Sequence, residues 1–254
     1  MILKAELECA RLAAQEAGRI QMAARGSLKN VERKTDQSPV TQVDRACEEK
    51  IRQILLDRFP RDGFLGEETG RRYGESGRTW IVDPLDGTRP FIRGIPTHSA
   101  LVALEDSKGP AVGVACIPAM NETYWAARGG GAYCNDKPIH VSETTTLSQC
   151  MGSALGLVEK AGTPEAEGLL AAMRAWDYAY GFMDVYSYMC VADGRLDACV
   201  NLLDSAWDCA AAACIVTEAG GRFSDIAGNR TVHGGSFVIS NAKTHDLVLN
   251  FFRD

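Results

Sequence analysis

The chain has 254 residues, 46% of them hydrophobic, and a formal net charge of -6 at pH 7. That is enough apolar material to bury a substantial core, as one large domain or two tightly joined halves. The acidic balance argues against nucleic acid or an anionic membrane as partner, since both need a basic face; a small anionic substrate stays allowed, because bound cations would reverse the field locally.

Met1-Ile2-Leu3-Lys4-Ala5-Glu6 reads as an amphipathic helix start carrying acids rather than as a signal peptide. No apolar run approaches the ~20 residues of a membrane span. Leu3, Leu7, Ala10, Ala14 and Ala17 stand at helical spacing and predict a helix over 3–25, ending near Gly26. A second helix is predicted over 42–58, with Val43, Ile51, Ile54 and Leu55 inward and Pro60 beyond its end. Strands follow at 63–66, 79–83, 99–105, 111–118 and 122–127, with Ser107-Lys108-Gly109-Pro110 as a hairpin turn. Gly129-Gly130-Gly131 and Asn135-Asp136 predict hairpin geometry rather than a phosphate loop, because no helix start follows. The remainder predicts a strand near 150–157, helices over 164–175 and 184–193, and a strand near 196–201. An Ala-rich helix over 207–219, terminated by Gly220 and Gly221, and a closing strand over 236–240 complete the order. The softest joint is the Ser- and Thr-rich segment from Val141 to Gln149. It divides an N-terminal half, 1–140, from a C-terminal half, 141–254, within one compact unit of α+β layers.

Nine cysteines form no C-x-x-C pair, and Cys116, Cys190, Cys199 and Cys214 sit in apolar segments. This predicts reduced, packing thiols in a cytoplasmic protein. The four histidines are scattered and none stands at zinc-ligand spacing from a cysteine.

The chemistry concentrates in Trp80-Ile81-Val82-Asp83-Pro84-Leu85-Asp86-Gly87-Thr88. An apolar strand end delivers two carboxylates onto a turn. Pro84 keeps Asp83 out of the helical region, Gly87 reaches conformations closed to other residues, and Thr88 stands where an N-cap would, ahead of Arg89 to Ile92. Two carboxylates held this close repel unless a cation lies between them. The N–H groups of Gly87 and Thr88 would offer an anion a helix N-terminus beside it. Taken alone, the same turn is also satisfied by a pair of Asx turns in a solvent loop.

Further blocks accompany it: Gly66-Glu67-Glu68 upstream, Phe91 and Gly94-Ile95-Pro96 after the turn, then Trp207-Asp208-Cys209-Ala210 and Glu218-Ala219-Gly220-Gly221. In this order the chain resembles the inositol monophosphatase family of magnesium-dependent, lithium-sensitive phosphatases, over roughly Lys4 to Ala242. The resemblance implies a five-layer αβαβα sandwich, a homodimer in the cytoplasm, and two or three Mg2+ ions. Asp83 would bridge two ions, Glu67 would complete the first, and Asp86 with Asp208 the second, the Leu85 carbonyl adding an oxygen. Glu68 competes with Glu67, and an acid in the first turn of a helix, as Asp208 would be, is also favoured by the helix dipole alone. Thr88 and Asp44 would orient and deprotonate the attacking water, with Glu67 beside them; Thr41-x-x-Asp44 is equally a capping box. Gly87 and Thr88 would bind phosphate, and Lys34 would stand at the entrance unless it is a solvated loop lysine.

The implied reaction is direct in-line hydrolysis by cation-activated water, with no phosphoenzyme. Cys9 and Cys47 lack the C-x5-R arginine that a phosphatase thiolate uses. For the substrate, inositol-specific relatives carry an acid seven positions before the WD aspartate, where this chain has Asn201. Arg89 after the DPLDGT turn, the Asp184-Val185-Tyr186-Ser187-Tyr188 run and the Ala192-Asp193-Gly194-Arg195 block look like the histidinol-phosphate phosphatase branch, which implies a place in histidine biosynthesis. Asp184 would then meet a cationic amine, or else cap its helix. Inositol 1-phosphate and nucleotide or sugar bisphosphates are the alternative esters, and a non-catalytic phospholigand binder is the distant one.

Overall fold

The computed structural model describes residues 3–26, 32–33, 39–40, 42–181 and 184–253. Helix α1 (Lys4–Ala24) buries Leu7, Ala10, Ala13, Ala14 and Ala17 on one face, so its backbone lies close to its neighbours. The two-residue strands β1 (Glu32–Arg33) and β2 (Pro39–Val40) pair ahead of α2 (Gln42–Arg58). Inward-facing positions of α2 carry two acids, Asp44 and Glu48, among Val43, Cys47, Ile51 and Leu55. Then come β3 (Gly63–Gly66), β4 (Gly70–Arg72), β5 (Thr79–Asp86), the short helix α3 (Thr88–Ile92), β6 (Ser99–Asp106), β7 (Gly109–Ile117), β8 (Glu122–Ala127), β9 (Ala132–Cys134) and β10 (Lys137–Ile139). These strands form an eight-stranded sheet in the order β10-β9-β8-β7-β6-β5-β3-β4, antiparallel except for β3 beside β5.

Both faces of that sheet are covered, which is why its central strands are apolar almost throughout. Val82, Val102 and Val114 pack toward α1 and α2. Ile81, Leu101, Ala103 and Ala115 pack the opposite way, against α5 (Asp184–Ala192) and α6 (Ala206–Glu218). Helix α6 is buried from Cys209 to Val216 and lies against the sheet backbone: a Cβ on Gly113 of β7 would stand 2.4 Å from the Ala211 carbonyl oxygen. Beyond these helices lies a second sheet, β12 (Tyr178–Tyr180), β11 (Met151–Leu155), β13 (Ala198–Asn201), β15 (Phe237–Ser240) and β14 (Arg222–Ser224), in that spatial order. Its outer face packs Ala198, Val200 and Val238 against α4 (Pro164–Ala175) and α7 (His245–Leu249). The layers therefore run α1/α2, first sheet, α5/α6, second sheet, α4/α7: the five-layer αβαβα sandwich.

Predicted and observed elements differ in informative places. β5 continues to Asp86 rather than stopping at 83, because β6 goes on pairing beyond an irregularity between Asp83 and Asp86 where Pro84 has no N–H to give. Thr88 is the first helical residue of α3 rather than its N-cap; Gly87, at φ 75°, holds the cap position. Strands β4, β9, β10, β12 and β14 were not predicted, being three residues each and too short to show an alternation. The glycines at 129–131 are a hairpin that also works as an anion cradle. Their three N–H groups donate to the Glu218 carboxylate at 2.9, 3.1 and 3.0 Å, tying the end of α6 to the first sheet. The Val141–Gln149 joint is likewise tied down. The Val141 N–H donates to the Ala219 carbonyl, Asn241 donates to the Thr144 carbonyl, and Ser142 bonds Asp197. All nine cysteines are free, and burial pushes the thiols of Cys47 and Cys150 up to about 12, far from nucleophilic use. No helix among the described residues is long and apolar enough to cross a membrane.

Candidate metal centre

The irregularity in β5 turns two consecutive acids of the motif toward one space. Asp83 accepts the Leu85 N–H on Oδ1 at 2.9 Å, an Asx turn, so the structural reading of this residue and the ligand reading coexist on one carboxylate. Asp86 accepts the Ser99 hydroxyl at 3.0 Å and the Val185 N–H at 3.2 Å, both on Oδ2. Asp208 arrives from the first turn of α6, where Oδ2 accepts the Ser205 N–H at 3.0 Å in a capping box. Together Asp83, Asp86 and Asp208 bring one oxygen each to within 4.8 Å of one another, the one such acid, His or Cys group among the described residues.

The turn after β3 adds Glu67, whose carboxyl hydrogen-bonds that of Asp83. Glu67 lines the cavity at the site and Glu68 does not. Glu48 fixes this turn: its carboxylate accepts the N–H groups of Glu68 and Thr69, each at 2.8 Å. A Cβ on Gly66 would fall 2.5 Å from that carboxylate, so the close approach requires glycine. Gln21 of α1, fully buried, braces the ligand turn from the other side, donating to the carbonyls of Pro84 and Ser99 at 2.9 Å each and meeting His98 Nδ1 at 2.8 Å.

Burial first, and then the neighbouring acids, hold Asp83 and Asp86 well above the usual carboxylate range, and raise Asp208 to about 6. The protein alone leaves this negative charge uncompensated. An all-oxygen set of hard donors carrying surplus negative charge fits a divalent cation of the magnesium type and suits neither zinc nor copper, which favour nitrogen or sulfur.

A cavity of about 270 Å³ opens above the three acids and is lined further by Leu85, Gly87, Thr88, Arg89 and Asp184. Thr88 Oγ1 stands 3.2 Å from both Asp44 Oδ1 and the Leu85 carbonyl, and Asp44 is wholly buried. Gly87 is left-handed, and a Cβ there would come 3.0 Å from Asp184 Oδ2. Asp184 opens α5 at φ 55°, a strained conformation for a side-chain-bearing residue. An N-cap takes extended geometry and accepts an N–H of its own helix; the Asp184 Oδ2 atom is buried with no hydrogen-bond partner among the described residues. Burial raises its carboxyl to about 6, against the lowering pull of Arg89.

Asn201 is not part of the cavity lining. Its side chain is engaged behind the site, donating to the Tyr188 hydroxyl at 3.0 Å and accepting the Leu203 N–H at 3.1 Å. Lys34 and Thr41 lie outside the described residues. Sequence reasoning named Tyr188 only as part of a branch motif, and missed Gln21, Glu48, Ser99 and Asp204. Only Glu48 carried a visible signal, an acid four positions after Asp44 on a helix face shared with Ile51 and Leu55.

A sequence model described as the inositol monophosphatase family matches residues 3–253. A histidinol-phosphatase of Chlorobaculum parvum is 37% identical, the match covering 96% of this chain and 95% of that protein. An inositol monophosphatase of Mesembryanthemum crystallinum is also 37% identical, over 85% of this chain and 83% of that one. Among solved structures, the extragenic suppressor protein suhB of Bartonella henselae superposes with a TM-score of 0.91 at 29% identity, covering 99% of both chains.

Proposed function

The chain belongs to the inositol monophosphatase family and is a phosphoric monoester hydrolase, and we propose that its substrate is a small phosphate ester whose leaving group carries a cationic amine, with histidinol phosphate the best fit. Identity leans one way by a small margin and does not decide the substrate: relatives named histidinol-phosphatase are 37%, 40% and 38% identical, those named inositol monophosphatase 37%, 36% and 35%. The observation that carries the reading is Asp184: a strained residue with a buried, unpartnered carboxylate oxygen at the cavity wall. An unpaired buried carboxylate is costly and is relieved by a cation. An amine on the leaving group supplies one; the uncharged hydroxyls of inositol do not.

In this reading Glu67, Asp83, Asp86, Asp208 and the Leu85 carbonyl hold Mg2+. Four carboxylates facing a phosphate dianion carry surplus negative charge that two divalent ions offset in large part and three offset in full. Magnesium, when bound, supplies the positive field that draws in the phosphoryl group and lowers the pKa of water. The chain's own residues do the rest. Thr88, its hydroxyl bonded to Asp44, turns a lone pair toward the cavity and takes the one proton that the attacking water gives up as its own passes to Asp44; Glu67 holds the other water hydrogen in a hydrogen bond, and the leaving alkoxide takes its proton from solvent water. The N–H groups at Gly87 and Thr88, at the start of α3, orient the phosphoryl oxygens, and Arg89 flanks the leaving group across from Asp184. No side chain acts as nucleophile.

A panel of esters assayed with Mg2+ tests the reading: histidinol phosphate, inositol 1-phosphate and adenosine 3',5'-bisphosphate. Histidinol phosphate is expected to give the highest kcat/KM. A preference for inositol 1-phosphate would refute the amine assignment while leaving the phosphatase chemistry intact.

A further inference from the structure

Helix α5 touches both sides of the acid cluster. At its first turn the Val185 N–H donates to Asp86 at 3.2 Å. One turn on, the Tyr188 hydroxyl donates to Asp204 Oδ2 at 2.7 Å, and the Asp204 carboxyl hydrogen-bonds that of Asp208. Tyr188 is itself pinned: its ring meets Phe237 edge-on at 5.2 Å between centroids, and its oxygen accepts the Asn201 amide at 3.0 Å. The polarity of this chain of bonds is forced. Tyr188 has one proton, which goes to Asp204, so the group on its other side must be a donor. Asn201 meets that need, and a carboxylate there would set two acceptors against the one hydroxyl proton.

We propose that Tyr188, oriented by Asn201, is a positioning residue for the cation centre: through Asp204 it fixes Asp208 at a set separation from Asp86, and thereby determines how tightly the divalent ion is held. The inference rests on the magnesium reading given above. Asp86 and Asp208 come from distant parts of the chain, and α5 is bonded to the first directly and toward the second through Asp204. Such outer hydrogen bonds commonly change metal affinity by about 10–100-fold.

Calorimetric titration with Mg2+ alone, without substrate, tests this. Tyr188→Phe is expected to weaken binding by about tenfold, and the Mg2+ concentration for half-maximal phosphatase activity is expected to rise by the same factor, a larger change than that in kcat at saturating cation. Asn201→Ala, at a less buried position, is expected to act in the same direction even if Tyr188→Phe does not fold, and the double variant to lose no more than the larger single effect, because both break one chain of bonds. Tyr186→Phe is the control, since that hydroxyl accepts from Arg195; it is expected to bind Mg2+ as the wild type does. Wild-type affinity in Tyr188→Phe, or equal weakening in Tyr186→Phe, overturns the inference. A wild type that takes up no divalent cation overturns the magnesium reading as well, so the two failures are distinguishable.

Discussion

Thr88 Oγ1 stands 3.2 Å from Asp44 Oδ1 across 44 positions of sequence, and an equal 3.2 Å from the Leu85 carbonyl. One hydroxyl proton serves one of these acceptors at a time. Donation to the buried Asp44 leaves the hydroxyl oxygen free to accept from a water in the cavity. Thr88→Ala is therefore expected to lower kcat by about 10²–10⁴-fold, the worth of a positioned proton acceptor, with Mg2+ affinity nearly unchanged by calorimetry. Thr88→Ser is expected to keep most of the activity. Near-normal turnover in Thr88→Ala would move the water-orienting role elsewhere.

The acid cluster trades stability for function. Burial and then Glu67, Asp208 and Asp86 raise the Asp83 carboxyl well above its ordinary range. The folded, cation-free chain therefore holds a proton that the unfolded chain releases near pH 4, and its stability falls as pH rises above that value. Asp83→Asn removes this penalty. The variant is expected to melt a few degrees above wild type in EDTA at pH 7.5, at roughly 2–4 °C per kcal/mol for a chain of this size. It is also expected to lose the rise in Tm that Mg2+ gives the wild type, and about a thousandfold or more of kcat. Scanning calorimetry with EDTA and with Mg2+ reads both effects; a Tm in EDTA below that of wild type would contradict the repulsion argument.

Asp184→Asn separates the leaving group from the phosphoryl group. The amide keeps the shape but not the charge, so KM for histidinol phosphate is expected to rise by roughly tenfold, one charge-assisted contact. Hydrolysis of p-nitrophenyl phosphate, which has no amine, is expected to change little. Steady-state kinetics on the two esters decide it: equal losses on both would make Asp184 a support for α5 and Gly87 rather than a substrate contact.

His245 predicts an acid limit to the fold. It is fully buried between the Ser224 and Ser240 hydroxyls, at 2.9 Å from each, and burial draws its pKa down to about 4. The unfolded chain takes up a proton near pH 6.5 that the folded chain refuses until about pH 4, so this contribution is whole above pH 6.5 and is lost as pH falls toward 4. Its size is on the order of 3 kcal/mol. His245→Gln is expected to be less stable at pH 7.5 but to lose less between pH 6.5 and 5, as urea midpoints would show; parallel slopes in the two proteins would exclude His245 as the cause.

The acid motif and its company were legible because their spacing is local. Asp83, Asp86, Gly87 and Thr88 lie within one turn, and the helical period of 3–25 and the hydrophobic stretches at 63–66 and 122–127 depend on near neighbours alone. Those features sufficed for α+β layers and for the family resemblance, which in turn implied the five-layer order and the candidate oxygen ligands. What local pattern does not encode is which residues from elsewhere meet the motif. Gln21 looks like any polar residue of an exposed helix, yet it braces the Pro84 carbonyl because α1 crosses beneath the turn. Asn201 stands in line with a substrate contact by position, yet Tyr188 claims its amide, since a buried hydroxyl must have its bonds satisfied within the protein. The glycines at 129–131 carry an anion cradle whose anion, Glu218, comes from the end of another helix. Asp184 shows its strain and its lack of a partner only once Gly87 and Arg89 surround it. Residue types and short spacings thus determined the chemistry this chain is equipped for, while burial and long-range hydrogen bonding, which exist only in the packed tertiary structure, decided where each charge is held and which groups remain open to a substrate.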